Sequence, residues 1–320
     1  MDLPYFDADE IRGVLTFERA IDAIDRALRS GVDPEDDAPR LFSPAPNGEF
    51  LIMPATGAAY SGVKALTVAP GNPERGLEKI QGVYVLVSSD TLAPVAVMDG
   101  SVLTAIRTPA TTLCAVRAIA AAAPRPMPAA PRVLVYGAGT QAHGMIAAAA
   151  GVFGPAVFGV VGRTPERVDA LRRGFEGTIE VSDRTGDRAG AVAEADVIIC
   201  ATTSDAPLFD GALVKDDAIV AAVGTHGLDR RELDDGLVRR ADLVVEGRRS
   251  ARAENGNLAT ALTAEDWRDR PPANLRDAVR GAFTRRPGRP AVYTGVGMSW
   301  EDLVCASVVF DERGGRADAS

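Results

Sequence analysis

Apolar residues at Ala20, Ile21, Ile24, Ala27 and Leu28, with charges between them, repeat at the helical period and predict an amphipathic helix that Gly31 and Pro34 end. The pattern then shortens. Residues 50–53, 62–68, 82–88 and 94–98 are β-rich runs bounded by Gly, Pro and Asn turns, which predicts antiparallel strands with no βαβ rhythm among them. A helix is expected over residues 109–123, after which Pro124, Pro126, Pro128 and Pro131 mark a domain boundary. From Arg132 the pattern alternates, with strands at 133–136, 157–161, 179–181, 196–201, 218–223 and 243–246 and helices at 141–150, 165–173, 190–195 and 230–240. That alternation outlines a doubly wound parallel sheet. A strand at 291–294 and a helix at 300–310 fall outside it and are expected to return to the first part of the chain. The expected class is α/β, with a doubly wound domain over residues 125–290 and an α+β domain built from 1–124 and completed by 291–320.

At 320 residues and 46% hydrophobic content the chain can bury a sizeable core, and its length suits two domains. Its 44 acidic against 35 basic residues, a net charge of -9, repel nucleic-acid phosphates and anionic lipid, so neither is an expected partner. Cys114, Cys200 and Cys305 are far apart, odd in number and set in apolar runs without a C-x-x-C, which fits buried thiols in a reducing cytoplasm and no metal site. The first residues are acidic where a secretory leader is basic and then apolar, and the weakly apolar stretch 145–162 is broken by Gly151, Gly154 and Pro155. Neither a leader nor a membrane span is expected.

Gly137-Ala-Gly139-Thr140-Gln141-Ala142 follows a β-branched strand and opens an Ala-rich helix, the setting in which a G-x-G-x-x-[G/A] string reads as the phosphate turn of a Rossmann domain. Gly137 allows the tight turn, Gly139 lets backbone approach a pyrophosphate, and the helix N-terminus offers N–H groups and the positive dipole end. The expected cofactor is a nicotinamide dinucleotide. Arg163-Thr164 stands where an NAD-specific protein places Asp or Glu for the ribose 2′-hydroxyl, so NADP(H) is expected to be preferred, with NAD(H) as the lesser cofactor. The bland reading makes Arg163 a solvated side chain and Thr164 a helix N-cap before Pro165.

Arg40, Lys64 and Arg107 are isolated cations in apolar or Gly-rich settings, each needing an anion that a small carboxylate ligand could supply. Singly, each also reads as an ordinary salt bridge or snorkelling side chain. The order P-R, G-x-x-x-x-M-P-A, G-V-K, P-G-N-P-E-R-G-L, D-G-S-V-L-T-A-I-R-T, G-A-G-T-Q-A, A-D-V-I-I-C-A-T-T, A-V-G-T-H-G-L-D-R-R-E-L-D and G-V-G-M-S-W-E-D-L resembles the ornithine cyclodeaminase/μ-crystallin family through most of the chain. The resemblance implies that the first domain with the C-terminal segment binds substrate and forms a homodimer, while the Rossmann domain holds NAD(P). It further implies that Arg40, Lys64 and Arg107 grip the α-carboxylate of an amino or imino acid, that Lys64 assists proton transfer, and that Thr202, Val223 and Gly224 lie against ribose and nicotinamide.

Two positions depart from that family. Cyclodeaminases carry a Glu for the substrate's distal amine where this chain has Leu51, and Glu49 lies two residues earlier on the same strand face. They also carry a catalytic Asp where this chain has His226, with Asp229 three residues on. A histidine there can exchange a proton at neutral pH, or serve only as a loop or cofactor-amide contact. His143 reads as structural. The leading expectation is NADPH-dependent reduction of a cyclic ketimine of the pyrroline-2-carboxylate type. Cyclodeamination of ornithine, an alanine-type dehydrogenase and a non-catalytic NADPH-binding protein stay open.

Overall fold

The computed structural model describes residues 3–314. The chain forms two compact units, one of residues up to Thr108 and from Met298 onward, the other Pro109–Gly297.

The first unit holds a six-stranded sheet made of β1 (Tyr5–Phe6), β2 (Leu41–Ala45), β3 (Gly48–Thr56), β4 (Tyr60–Val68), β5 (Ile80–Ser88) and β6 (Pro94–Asp99), in the order β1-β6-β5-β4-β3-β2. From β2 to β6 all neighbours are antiparallel, as expected, and the short β1 adds in parallel. Strict alternation puts Leu51, Met53, Lys64, Leu66, Tyr84 and Met98 on one buried face. The C-terminal helix Ser299–Glu312 packs on that face across β3, β4 and β5. Its first turn is fixed by Asp37, whose carboxylate accepts from Ser299 N at 2.8 Å and Trp300 N at 3.0 Å. Helices α1 (Ala8–Val14) and α2 (Phe17–Ser30) pack beside it.

Helix α3 (Gly100–Ala121) starts nine residues before the expected position. Pro109 reads as a helix start, but the signal that counts is Asp99, which accepts from Ser101 N and Val102 N at 2.9 Å each.

The second unit is an all-parallel eight-stranded sheet of β7 (Arg132–Tyr136), β8 (Val157–Val161), β9 (Val181–Asp183), β10 (Val197–Cys200), β11 (Ile219–Ala222), β12 (Asp242–Val245), β13 (Ala273–Asn274) and β14 (Ala291–Thr294). Its order is β13-β12-β14-β11-β10-β7-β8-β9. The chain runs outward from β7 through β8 and β9, then returns to the other side of β7 with β10, which leaves a crevice at the carboxyl ends of β7 and β10. Helices α4 (Thr140–Phe153), α5 (Pro165–Arg173) and α6 (Arg188–Glu194) follow β7, β8 and β9.

The structure corrects two further expectations. Strand 291–294 does not return to the first unit, because β14 inserts between β12 and β11 and is buried at every residue. Only the helix after it joins the first sheet. The helix expected over 230–240 is α7 (Asp235–Arg240) alone, capped by Asp234, because Glu232 N and Leu233 N are taken by the Asn257 side chain. Arg230 and Arg231 therefore precede the helix. Among the described residues no helix is long and apolar enough to cross a membrane.

Candidate functional site

Two groups of predicted residues come together, one in each unit. In the second unit Gly137 has φ +119°, and a Cβ there would lie 2.5 Å from the Ala201 carbonyl oxygen, so only glycine fits. A Cβ on Gly139 would meet nothing within 4 Å, and no side chain caps the α4 N-terminus that Gly139 begins. Thr140, Gln141 and Ala142 thus present their backbone N–H groups at an open approach, with Ala142 buried beneath. These features suit a pyrophosphate. A cavity of about 350 Å³ runs from this turn past Gly162, Arg163 and Thr164 on one side and Thr202, Thr203 and Ser204 on the other.

Arg163 is joined at the cavity by Arg167 and Arg188, which the sequence reading did not select. Both stand in the first turns of their helices, where the dipole disfavours a cation, a signal that an anion is accommodated there. Thr164 occupies the N-cap position of α5, yet its hydroxyl makes no capping bond, and the residue lines the cavity.

Beyond Thr202 a further missed residue governs the wall. Glu232 is fully buried, and its carboxylate accepts from Thr202 N at 2.8 Å, Thr202 Oγ1 at 2.7 Å and Gly224 N at 2.8 Å. Burial pushes its pKa up and these donors pull it back. Val223 and Gly224 follow β11 directly and are half-buried. His226 and Asp229 are exposed in the loop beyond them. His143 stacks on Phe175 with ring centroids 4.3 Å apart, consistent with its structural reading.

In the first unit Lys64 lies opposite Met53 and Tyr84 on the buried sheet face. Its ammonium donates to Asp302 Oδ2 at 2.6 Å and to Thr104 Oγ1 at 3.2 Å. Arg107 Nη1 donates to Glu301 Oε2 at 2.9 Å, and its Nε is 3.4 Å from Asp302 Oδ1. Lys64, Glu301 and Asp302 are fully buried, and Arg107 nearly so. The C-terminal helix supplies two carboxylates to these two cations, as in the ordinary salt-bridge reading offered for each. Glu301 and Asp302 escaped notice because acids in a first helical turn are ordinary on the surface. Desolvation, with the nearby Arg107 charge, lowers the Lys64 pKa to about 8 against the pull of Asp302. Arg40, half-buried, precedes the Leu41↔Ile52 pair by one residue and so adjoins Met53 in register. Leu51 packs with Met53 and Leu66 into a small apolar cluster on the same face, and Glu49 is half-buried two residues before it.

The profile of the ornithine cyclodeaminase/mu-crystallin family matches residues 6–316. The chain belongs to that family. It is 30% identical over 313 residues to a Delta(1)-pyrroline-2-carboxylate reductase 2 of Burkholderia ambifaria, covering 97% of this chain and 96% of the relative. It is 32% identical to the ketimine reductase mu-crystallin of Mus musculus, covering 82% of this chain and 80% of that one. The iminosuccinate reductase of Paracoccus denitrificans, solved in complex with NAD+, superposes with a TM-score of 0.83 at 25% identity over 98% of each chain. The family member described here therefore has the fold its motifs implied.

Proposed function

We propose that this protein is an NAD(P)H-dependent oxidoreductase that reduces the C=N bond of a small cyclic imino acid, with pyrroline-2-carboxylate as the type substrate. The observation that carries the reading is the fully buried Lys64 ammonium, held between Asp302 and Thr104 beside Arg107, with a pKa of about 8. An ammonium with that pKa holds its proton at neutral pH and can give it to an imine nitrogen. Bound at the Gly137 turn, a reduced nicotinamide would supply the hydride. Arg107 is the carboxylate anchor, with Arg40, which adjoins Met53 in register, as a second cation, and a planar guanidinium suits that task. Leu51, packed with Met53 and Leu66, has no charge for a distal ammonium, which favours a cyclic imino acid over ornithine. The reductase names of the full-length relatives agree. His226 remains a candidate proton carrier in the second unit.

The cofactor reading is NADP(H) ahead of NAD(H). Arg163, Arg167, Arg188 and the Thr164 hydroxyl line the side of the cavity where a 2′-phosphate would sit. Equal affinities for NADPH and NADH in a fluorescence titration would sink that preference. The reaction itself is tested by NADPH oxidation with pyrroline-2-carboxylate and piperideine-2-carboxylate. Turnover is expected with at least one, and ammonia release from ornithine without net cofactor oxidation would instead support a cyclodeaminase.

The first unit is also read as the homodimer surface. Leu41, Phe50, Ile52, Val63, Val83 and Val85 share the sheet face opposite Lys64, and Leu41, Phe50 and Val83 are 59%, 45% and 37% exposed. An apolar face of this kind on a soluble chain fits a second copy. Sedimentation should give twice the chain mass, and Phe50→Glu with Val83→Glu should give the monomer. Three buried free thiols fit a cytoplasmic location.

A further inference from the structure

We propose that Glu232 is a positioning residue for the nicotinamide half of the cofactor, a role that rests on the dinucleotide reading above. Strand order fixes which half lies where. Arg163, Arg167 and Arg188 follow β8 and β9 on one side of the phosphate turn, while Thr202 and Gly224 follow β10 and β11 on the other. A dinucleotide with its pyrophosphate at Gly139 and its adenosine end at the arginines must run its other half across the ends of β10 and β11.

Those two ends are held by Glu232. Its side chain takes three donors from two separate loops, and its own backbone N–H is held at 2.7 Å by Asn257 Oδ1. The loops are in contact, because a Cβ on Gly224 would fall 2.1 Å from the Thr202 carbonyl oxygen. Among the described residues the carboxylate has no basic partner, and the bonds it accepts come from the loops themselves. Burying an unpaired carboxylate is costly. A neutral amide in the same position would turn its NH2 toward either Gly224 N or the two Thr202 donors, since the two carboxylate oxygens are used separately. The anion is thus suited to locking two loops in one relative position, and Thr202 is part of the cavity wall.

The test compares two ligands on three proteins. NADPH and adenosine 2′,5′-bisphosphate, which lacks the nicotinamide half, are titrated by calorimetry into wild type, Glu232→Gln and Glu232→Asp. Losing bonds of this kind should weaken NADPH by about tenfold or more in Glu232→Gln, leaving the bisphosphate within about twofold. Glu232→Asp, which keeps the charge on a shorter arm, should fall between. Equal weakening of both ligands, or of neither, overturns the assignment, as does failure of both variants to fold, which would make Glu232 a folding residue. If wild type binds neither of these ligands nor NADH, the dinucleotide reading fails, and that outcome is distinct from the others.

Discussion

Replacing Asp302 with Asn should move the alkaline limb of the pH–rate profile to lower pH. With Lys64 as the proposed acid and its pKa lowered to about 8, kcat/KM for imine reduction should be full below that value and fall as pH rises through it. Asp302 opposes burial and the Arg107 charge, through an ammonium–carboxylate bond of 2.6 Å. A hydrogen bond to a charged group contributes about 1.5–3 kcal/mol, and a pKa unit corresponds to about 1.4 kcal/mol. Loss of the carboxylate should therefore lower the limb by about one to two units, to a pH of roughly 6–7. The assay is initial NADPH oxidation with pyrroline-2-carboxylate from pH 5 to 10 on both proteins, with a melting curve to confirm that the variant is folded. Ionisation of the substrate shifts both profiles equally and cancels in the difference. A limb at the same pH in both proteins would refute the assignment of Lys64 as the proton donor.

Arg163→Ser combined with Arg188→Ser should weaken NADPH by about tenfold or more while leaving NADH little changed, since charge-assisted bonds to phosphate are the ones removed; parallel loss of both cofactors in a titration would count against the arginine cluster. Gly137→Ala forces a Cβ to 2.5 Å from a backbone oxygen at φ +119°, so it should abolish dinucleotide binding and lower the melting temperature, both readable in one thermal-shift experiment with and without NADPH. Asp37→Ala removes the cap of the C-terminal helix and should cost about 1 kcal/mol in urea unfolding; an unchanged midpoint would show the cap to be idle. Leu51→Glu places a carboxylate among Met53 and Leu66, and turnover of pyrroline-2-carboxylate should fall well below wild type in the standard assay.

Local patterns that repeat were legible before the structure. The period-two strands β3 to β6, the amphipathic α2, and the strand–turn–helix around Gly137 all sit within a few residues of where spacing put them. What escaped notice depends on partners distant in sequence. Nothing near Glu232 in the string R-R-E-L-D says that it is buried, since its donors lie 30 residues before it and 8 before it. Glu301 and Asp302 are separated from Arg107 and Lys64 by 194 and 238 positions, and only the packing of the last helix on the sheet reveals the pairing. The same holds for β14, whose four residues carry no mark of which sheet they join. The cation trio was visible as residue types, but its electrostatic state was not.

The route of the chain through the two units has a consequence for synthesis. The Rossmann unit is one uninterrupted stretch, Pro109–Gly297, whereas the sheet that carries Lys64 is finished by residue 99 and its lysine pairs with Asp302 of the last helix. A nascent chain leaving the ribosome therefore holds, for most of its length, a sheet face whose lysine has not yet met the Asp302 carboxylate. That face cannot close until the last helix emerges and Asp37 takes hold of its first turn. The unit encoded in the middle of the gene can be folded while the one encoded first is still waiting. A ribosome stalled anywhere before Met298 should present a protease-resistant dinucleotide-binding core attached to an open, cleavable sheet.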